Sequence, residues 1–221
     1  MTIEKVDLTK LLDYWSEQRN TYAPSAYVML LCGAATELDR QTFSFVVQNR
    51  FMLTDMSGPY TSLTLVGSRS DGEVLAAPPS DRQRGELGYL HGAYADRFHA
   101  SGVFDLANAL NLPLDQFPLI VVSLDPWARD EILTVSLRDL PHPDDPAADR
   151  TEQLVDFFAA LLTACRTTRG TAAGKRLRLI QKHMKPHLDH GRSGWLNSVS
   201  ESGILAQVIE GIIRGLGLGG A

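Results

Sequence analysis

Cysteine is scarce in this sequence, which contains only Cys32 and Cys165 among its 221 residues. Small secreted domains that depend on disulfides contain several cysteine pairs, so this count excludes a disulfide framework and suits a reducing compartment. The two cysteines are far apart in the chain, and neither belongs to a pair with the spacing of a zinc site. We therefore expect a cytoplasmic protein without a cysteine-bound metal.

Positive charge and long apolar runs are also in short supply. The formal net charge is -5 and the sequence pI is about 5.7, whereas nucleic-acid-binding proteins present a basic surface. No stretch reaches the roughly 18 uninterrupted apolar residues of a membrane-spanning helix. The N-terminal residues lack the basic start and apolar run of a secretory signal. These absences predict no nucleic-acid partner and no transmembrane segment.

Motifs for nucleotide binding and for nucleophilic catalysis are missing as well. The sequence has no P-loop, no paired-glycine dinucleotide fingerprint and no nucleophile elbow. We therefore predict no cofactor. A Rossmann-type nucleotide-handling protein stays open as an alternative, because open α/β sheets bind ligands at the carboxyl ends of their strands without a single obligatory motif.

The clearest structural signal that is present lies in residues 117–139, which have the pattern of two apolar strands joined by a turn. Residues 118–124 are nearly continuous in branched apolar side chains, which is typical of a strand covered on both faces. Asp125 and Pro126 favour a turn, and residues 132–137 interleave apolar and hydroxyl side chains as a partner strand. The segment therefore predicts an antiparallel hairpin in the middle of a sheet.

The rest of the pattern predicts an α/β core followed by helices. Strands are expected at 26–32 and 60–66, with one helix from Thr36 to about Met52 between them. Residues 67–92 are rich in glycine, proline and polar residues and form a long loop. The predicted organisation is an α/β core with an N-terminal helix in residues 1–140, a linker at 141–150 and a helical C-terminal extension at 151–221.

The order of these elements over residues 27–139 resembles the thioredoxin-like fold. That family has a β-α-β unit, a helix, and an antiparallel hairpin whose first strand follows a cis-proline, and Pro118 occupies the matching place. The family's redox cysteines lie near the end of the first strand, where this chain has Cys32. The resemblance implies a thioredoxin-like mixed sheet and a structural cis-proline at Pro118. This chain departs from the dithiol form of the family because Gly-Ala-Ala follows Cys32, which leaves no resolving thiol.

Cys32 has two interpretations. It belongs to the apolar strand 26–32, so the sequence favours a buried and inert thiol. The alternative is a monothiol redox enzyme, in which the positive end of the helix that starts near Thr36 activates Cys32 as its candidate catalytic residue. Thr36 is a good N-cap, and the acidic Glu37 and Asp39 suit the first turn of that helix.

Two polar clusters in the C-terminal part could hold ligands. His183 and His187 are four residues apart and could share a helix face with His190, as metal ligands do. Lysines and a proline interrupt this set, so we favour a solvated surface and predict no metal site. The same segment contains a basic run, for which we favour a solvated helix face and keep phosphate or an acidic partner as the alternative: Lys175, Arg176, Arg178, Lys182 and Lys185.

The most regular amphipathic helix is the last one, and its apolar face is aliphatic: Ile204, Leu205, Val208, Ile209, Ile212, Ile213 and Leu216. Such a face can dock on its own domain, pair with a second subunit or lie on a membrane surface. We predict that it is an interface for a protein partner or for self-association. Together with the 67–92 loop it makes a non-catalytic binding or assembly module our preferred interpretation of the chain.

Overall fold

The computed structural model describes residues 4–5, 8–32, 36–67, 99–112, 114–128, 131–140, 150–188 and 204–215. Most of the predicted loop at 67–92 and of the predicted linker at 141–150 lies outside the described residues. The described strands are β1 (Glu4–Lys5), β2 (Ala26–Cys32), β3 (Thr61–Gly67), β4 (Leu119–Ser123) and β5 (Ile132–Ser136). The described α-helices are α1 (Leu8–Tyr22), α2 (Glu37–Gln48), α3 (Arg50–Ser57), α4 (His99–Ala109), α5 (Thr151–Thr167), α6 (Ala173–Met184) and α7 (Leu205–Gly215).

The strands form one mixed sheet in the order β1-β3-β2-β4-β5. The pairs β1–β3 and β2–β3 are parallel, whereas β2–β4 and β4–β5 are antiparallel. The fold is therefore mixed α/β, as the sequence predicted. A Rossmann-type sheet would continue in parallel beyond β2, and the antiparallel β4 does not fit that alternative.

Helices cover both faces of the sheet, so alternate residues of each strand enter different cores. Val28, Leu30 and Cys32 face a first core built with α2, α3, α5 and α6. Tyr27, Met29 and Leu31 face a second core built with α1, α4 and α7. A central strand with both faces buried needs apolar side chains at every position, which explains the uninterrupted apolar run of β2.

The helices after residue 150 complete the first core. Phe157 and Phe158 on α5 are fully buried, and the Phe158 ring stacks on Phe45 of α2 with centroids 5.9 Å apart. Leu177 and Ile180 of α6 belong to the same cluster. Helices α5 and α6, which the sequence assigned to a helical C-terminal extension at 151–221, therefore pack against the sheet in the first core.

The last helix docks on its own domain through the second core. Leu205 is 3% exposed and Ile209 is completely buried, and the Ala206 N–H donates to the Pro126 carbonyl in the β4–β5 turn at 2.8 Å. Three further members of the predicted interface, Val208, Ile212 and Ile213, are partly buried against this core. Ile204 is half-buried and Leu216 lies outside the described residues. Leu205 and Ile209 are thus occupied within the chain, which corrects their assignment to an external interface.

Among the helices of the described residues, none combines the length and the apolar character that crossing a bilayer requires. The finding agrees with the expectation of no transmembrane segment for this part of the chain.

Candidate functional site

One edge of the sheet brings together Cys32, Gly67 and Pro118. Cys32 pairs with Gly67 in the parallel β2–β3 register. Leu31 pairs with Leu119 in the antiparallel β2–β4 register, so continuing that register by one residue places Pro118 beside Cys32. The Phe117–Pro118 peptide bond is cis. Cys32, the candidate redox thiol, and Pro118, the candidate structural cis-proline, therefore lie at the same edge of the sheet.

The chain segment before β4 is held by the end of β5 through three consecutive carbonyl groups. The Ser136 hydroxyl donates to the Gln116 carbonyl at 2.7 Å, and Arg138 Nε–H donates to the Phe117 carbonyl at 2.9 Å. The Leu137 N–H donates to the Pro118 carbonyl at 2.9 Å. These carbonyls are satisfied within the chain, which fixes the backbone around Pro118.

Both cysteines are buried and neither forms a disulfide. Cys32 is 1% exposed and belongs to the first core, and Cys165 on α5 is completely buried in the same core. Burial raises the pKa of the Cys165 thiol from 9.0 to about 12, against the opposing effect of the Arg176 charge. A protonated thiol is a poor nucleophile, so Cys165 is inert near neutral pH.

The side chains of Thr36 and Asp39 cap the N-terminus of α2. The Thr36 N–H and hydroxyl both donate to Asp39 Oδ2, at 3.0 and 2.8 Å, and the Asp39 N–H donates to Thr36 Oγ1 at 3.1 Å. This capping box confirms the N-cap predicted at Thr36. Asp39 is fully buried, so its carboxylate balances the positive end of the helix dipole from inside the protein. The helix end is therefore not free to activate a neighbouring thiolate.

The burial of Cys32 and Cys165 can be tested directly by thiol labelling. We expect both thiols to resist iodoacetamide in the native protein at neutral pH and to react after unfolding in guanidinium chloride. Gln207→Cys adds a thiol on the exposed face of α7 and serves as the accessible control. Native wild-type protein that loses one thiol as fast as this variant would restore the monothiol alternative at Cys32.

The histidines lie in a different place, between α5 and α6. His183 and His187 line a cleft of about 750 Å³, whose other lining side chains are mostly alanine and threonine and include Asp156. No group of three potential metal-ligating side chains occurs in the part of the chain that the structure describes. His190 lies outside that part. The structure therefore brings two of the three predicted histidines together but completes no metal site with them in the described residues.

Arg176 is the residue that the sequence analysis placed wrongly. The other members of the basic run, Lys175, Arg178, Lys182 and Lys185, are exposed, but Arg176 is only 5% exposed. Its position four residues before Ile180 and eight before Met184, both buried, was the available signal, because residues at this spacing share a helix face. Burial lowers the pKa of the Arg176 guanidinium, and the nearby Arg169 charge acts in the same direction.

The guanidinium of Arg176 connects α6 to Ser25, just before β2, and to the C-terminal end of α5. Its Nη1 donates to the Ser25 carbonyl, and its Nη2 donates to Ser25 Oγ at 3.0 Å and to the Cys165 carbonyl at 2.8 Å. Its Nε donates to Thr168 Oγ1 at 3.3 Å. The contact with Cys165 satisfies a carbonyl in the last turn of α5, where a helix lacks its own donors and favours a cation.

Comparisons with known proteins complete the description of the site. No protein-family model matches the chain, and no match was found among curated proteins or solved structures.

Proposed function

We propose that this chain is a non-catalytic binding or assembly module built on a thioredoxin-like scaffold. The scaffold is supported by the parallel β2–β3 pair, the antiparallel β4–β5 hairpin and the cis bond before Pro118. These three features support the proposal because the resemblance implies each of them. The order of the described strands is compatible with the same scaffold.

The non-catalytic part of the proposal rests on two observations, the burial of Cys32 and the capped N-terminus of α2 beside it. A redox thiol needs solvent access and a stabilised thiolate. Cys32 is 1% exposed, and the adjoining end of α2 is neutralised by Asp39. A helix N-terminus that is already occupied by an internal carboxylate favours a structural role for this edge over thiol chemistry.

We assign the contact element to α7. Its aliphatic stripe is anchored by Leu205 and Ile209, and beyond these anchors Ile212 and Ile213 are only partly covered. The opposite face is exposed and carries Glu210 and Arg214, which pair with each other at 3.2 Å. The partly covered isoleucines extend the stripe past the part of the helix that is fixed to the domain.

The partner that fits this stripe best is a second copy of the chain. Each copy carries the same partly covered Ile212 and Ile213, so two copies can contact each other through the same patch without any further component. Aliphatic side chains at such a contact gain stability by leaving water. We therefore expect the protein to self-associate through α7.

Light scattering on purified protein over a range of concentrations tests this assignment. The full chain should form a dimer or a larger oligomer, and the double variant Ile212→Lys with Ile213→Lys should be monomeric because two charges replace the partly covered apolar surface. Leu205 and Ile209 keep the helix docked in this variant. Gln207→Lys, which adds a charge to the exposed face of α7, is the matched control and should associate like the wild type.

A wild-type protein that stays monomeric at every concentration would contradict self-association, and equal oligomers of the wild type and the double lysine variant would contradict the assignment to α7.

A further inference from the structure

A second cavity lies at the opposite end of the β2–β4 pair from Pro118. Tyr27 pairs with Ser123, and continuing this antiparallel register by two residues places Ser25 beside Asp125. These two residues and Arg176 line a cavity of about 480 Å³, together with Leu124, Ala128, Thr171 and Ala173. We propose that this cavity binds a phosphate-type oxyanion, held by Arg176 and by the first turn of α6. The proposal is independent of α7 and of the oligomeric state.

Arg176 supplies a buried positive charge with an unused donor. A guanidinium has five N–H groups, and the contacts to Ser25, Cys165 and Thr168 use four of them. The second N–H of Nη1 has no acceptor in the described residues. Arg176 is among the residues that line the cavity, and we assign this donor to the bound anion.

The charge of Arg176 is not matched by an acid. No carboxylate in the described part of the chain lies within ion-pair distance of its guanidinium. All four of its acceptors are neutral carbonyl or hydroxyl oxygens, although the Cys165 carbonyl lies at the negative end of α5. Buried charges are normally paired, so a cavity beside an unmatched guanidinium favours an anion from solution.

The N-terminus of α6 also favours an anion in this cavity. The helix is 12 residues long, its N-cap residue Ala172 makes no side-chain hydrogen bond, and its first turn contains no acidic residue. Ala173, the first helical residue, lines the cavity. An uncapped helix N-terminus offers backbone N–H groups and a partial positive charge, which are the groups that bind phosphate. The buried guanidinium and the helix end thus lie at one cavity.

Asp125 limits the affinity of the cavity for an anion. Its carboxylate lines the cavity, but both oxygens have other partners, since Oδ1 accepts from the Trp127 N–H at 3.0 Å and Oδ2 forms an ion pair with Arg19 Nη2 at 3.8 Å. The Arg19 guanidinium in turn lies over the Trp127 ring, 4.9 Å from its centroid. A carboxylate still repels an anion in the same cavity, so its removal should strengthen binding.

Equilibrium dialysis with radiolabelled inorganic phosphate, at constant ionic strength in a chloride buffer, measures the binding directly. The full chain should bind phosphate saturably, with one site per chain. Ala173→Asp should abolish binding, because its carboxylate repels the anion and occupies the helix end, where an acid also stabilises α6. Asp125→Asn should lower the Kd about fivefold, because it removes the repulsion and retains an oxygen for the Trp127 N–H.

Matched controls separate the site from a general charge effect. Gln207→Asp adds the same acidic residue on the exposed face of α7, and Asp156→Asn removes an exposed acid from α5; both should bind phosphate like the wild type. Phenyl phosphate should compete for the same site, and a lower Kd than that of inorganic phosphate would identify a phosphomonoester as the preferred form. Non-saturable binding by the wild type, or equal binding by Ala173→Asp and Gln207→Asp, would overturn the proposal.

Discussion

Replacing Phe158 with alanine is expected to lower the free energy of unfolding by about 3–5 kcal/mol, the range found when a large aromatic side chain is removed from a core. Phe158 is completely buried, stacks on Phe45 and meets Phe157 edge to face with centroids 5.6 Å apart. Its ring connects α5 to α2 over the first face of the sheet. The loss should therefore affect the whole domain in one cooperative transition, measured by urea denaturation followed by circular dichroism.

Phe51→Ala is the matched control for this variant. Phe51 on α3 is 50% exposed, with the Arg50 guanidinium over its ring 5.0 Å from the centroid. Its truncation should cost less than about 1 kcal/mol, since substitutions on the surface have small effects. If Phe158→Ala were no more costly than Phe51→Ala, or if the α5–α6 region unfolded separately from the rest, α5 and α6 would not share one cooperative core with the sheet.

Helices α5 and α6 show that a single sequence can reveal the apolar face of a helix but not the surface that covers it. The apolar stripe Leu154, Phe157, Leu161 correctly indicates an amphipathic helix, because periodicity reports which face leaves water. It does not report which surface covers that face. The proline-rich segment before α5 suggested a boundary, but the covering surface is the sheet itself. The same limit applies to α7, whose stripe was predicted accurately and whose anchors dock within the chain.

Local chemistry was predictable where it depends on neighbouring residues. The bounds of β2 follow from its apolar run, and the Thr36 N-cap follows from an acceptor side chain with an acid three residues later. The single helix expected from Thr36 to about Met52 is divided at Asn49, whose side-chain amide donates to the Phe45 carbonyl at 2.9 Å and competes with the continuing helix. Asparagine is common enough inside helices that this break could not be read from its presence alone.

The sequence singled out residues at one end of the β2–β4 pair, near Cys32 and Pro118, but missed the cavity at the other end. The family resemblance singled out Cys32 and Pro118 separately, and it is the antiparallel β2–β4 register that places them beside each other. The cavity at Ser25 and Arg176 was missed, since 151 residues separate the two side chains and a basic run looks solvated from its composition. One arginine on the buried face of an otherwise exposed basic helix is visible only when the helical spacing is examined residue by residue.

Alkaline pH is expected to destabilise the fold through Cys165, by up to about 4 kcal/mol between pH 9 and pH 12, because burial raises the pKa of its thiol from 9.0 to about 12. In this interval the unfolded chain loses the thiol proton while the folded chain retains it, so ionisation favours unfolding. The stability is fully present below pH 9 and decreases as the pH rises toward 12. Burial also raises the pKa of Tyr27 to about 12 from 10.0, which adds a smaller loss that starts one pH unit higher.

Urea denaturation at a series of pH values above 8 measures this dependence. Cys165→Ala should be less stable at neutral pH because it leaves a small cavity, but its stability should decrease less steeply with pH since the titrating group is absent. Tyr27→Phe should reduce only the part of the slope above pH 10. Tyr22→Phe, at a tyrosine that is 45% exposed, controls for the loss of a phenol. A Cys165→Ala protein with the same slope as the wild type would show that this thiol is not the group that the folded state keeps protonated.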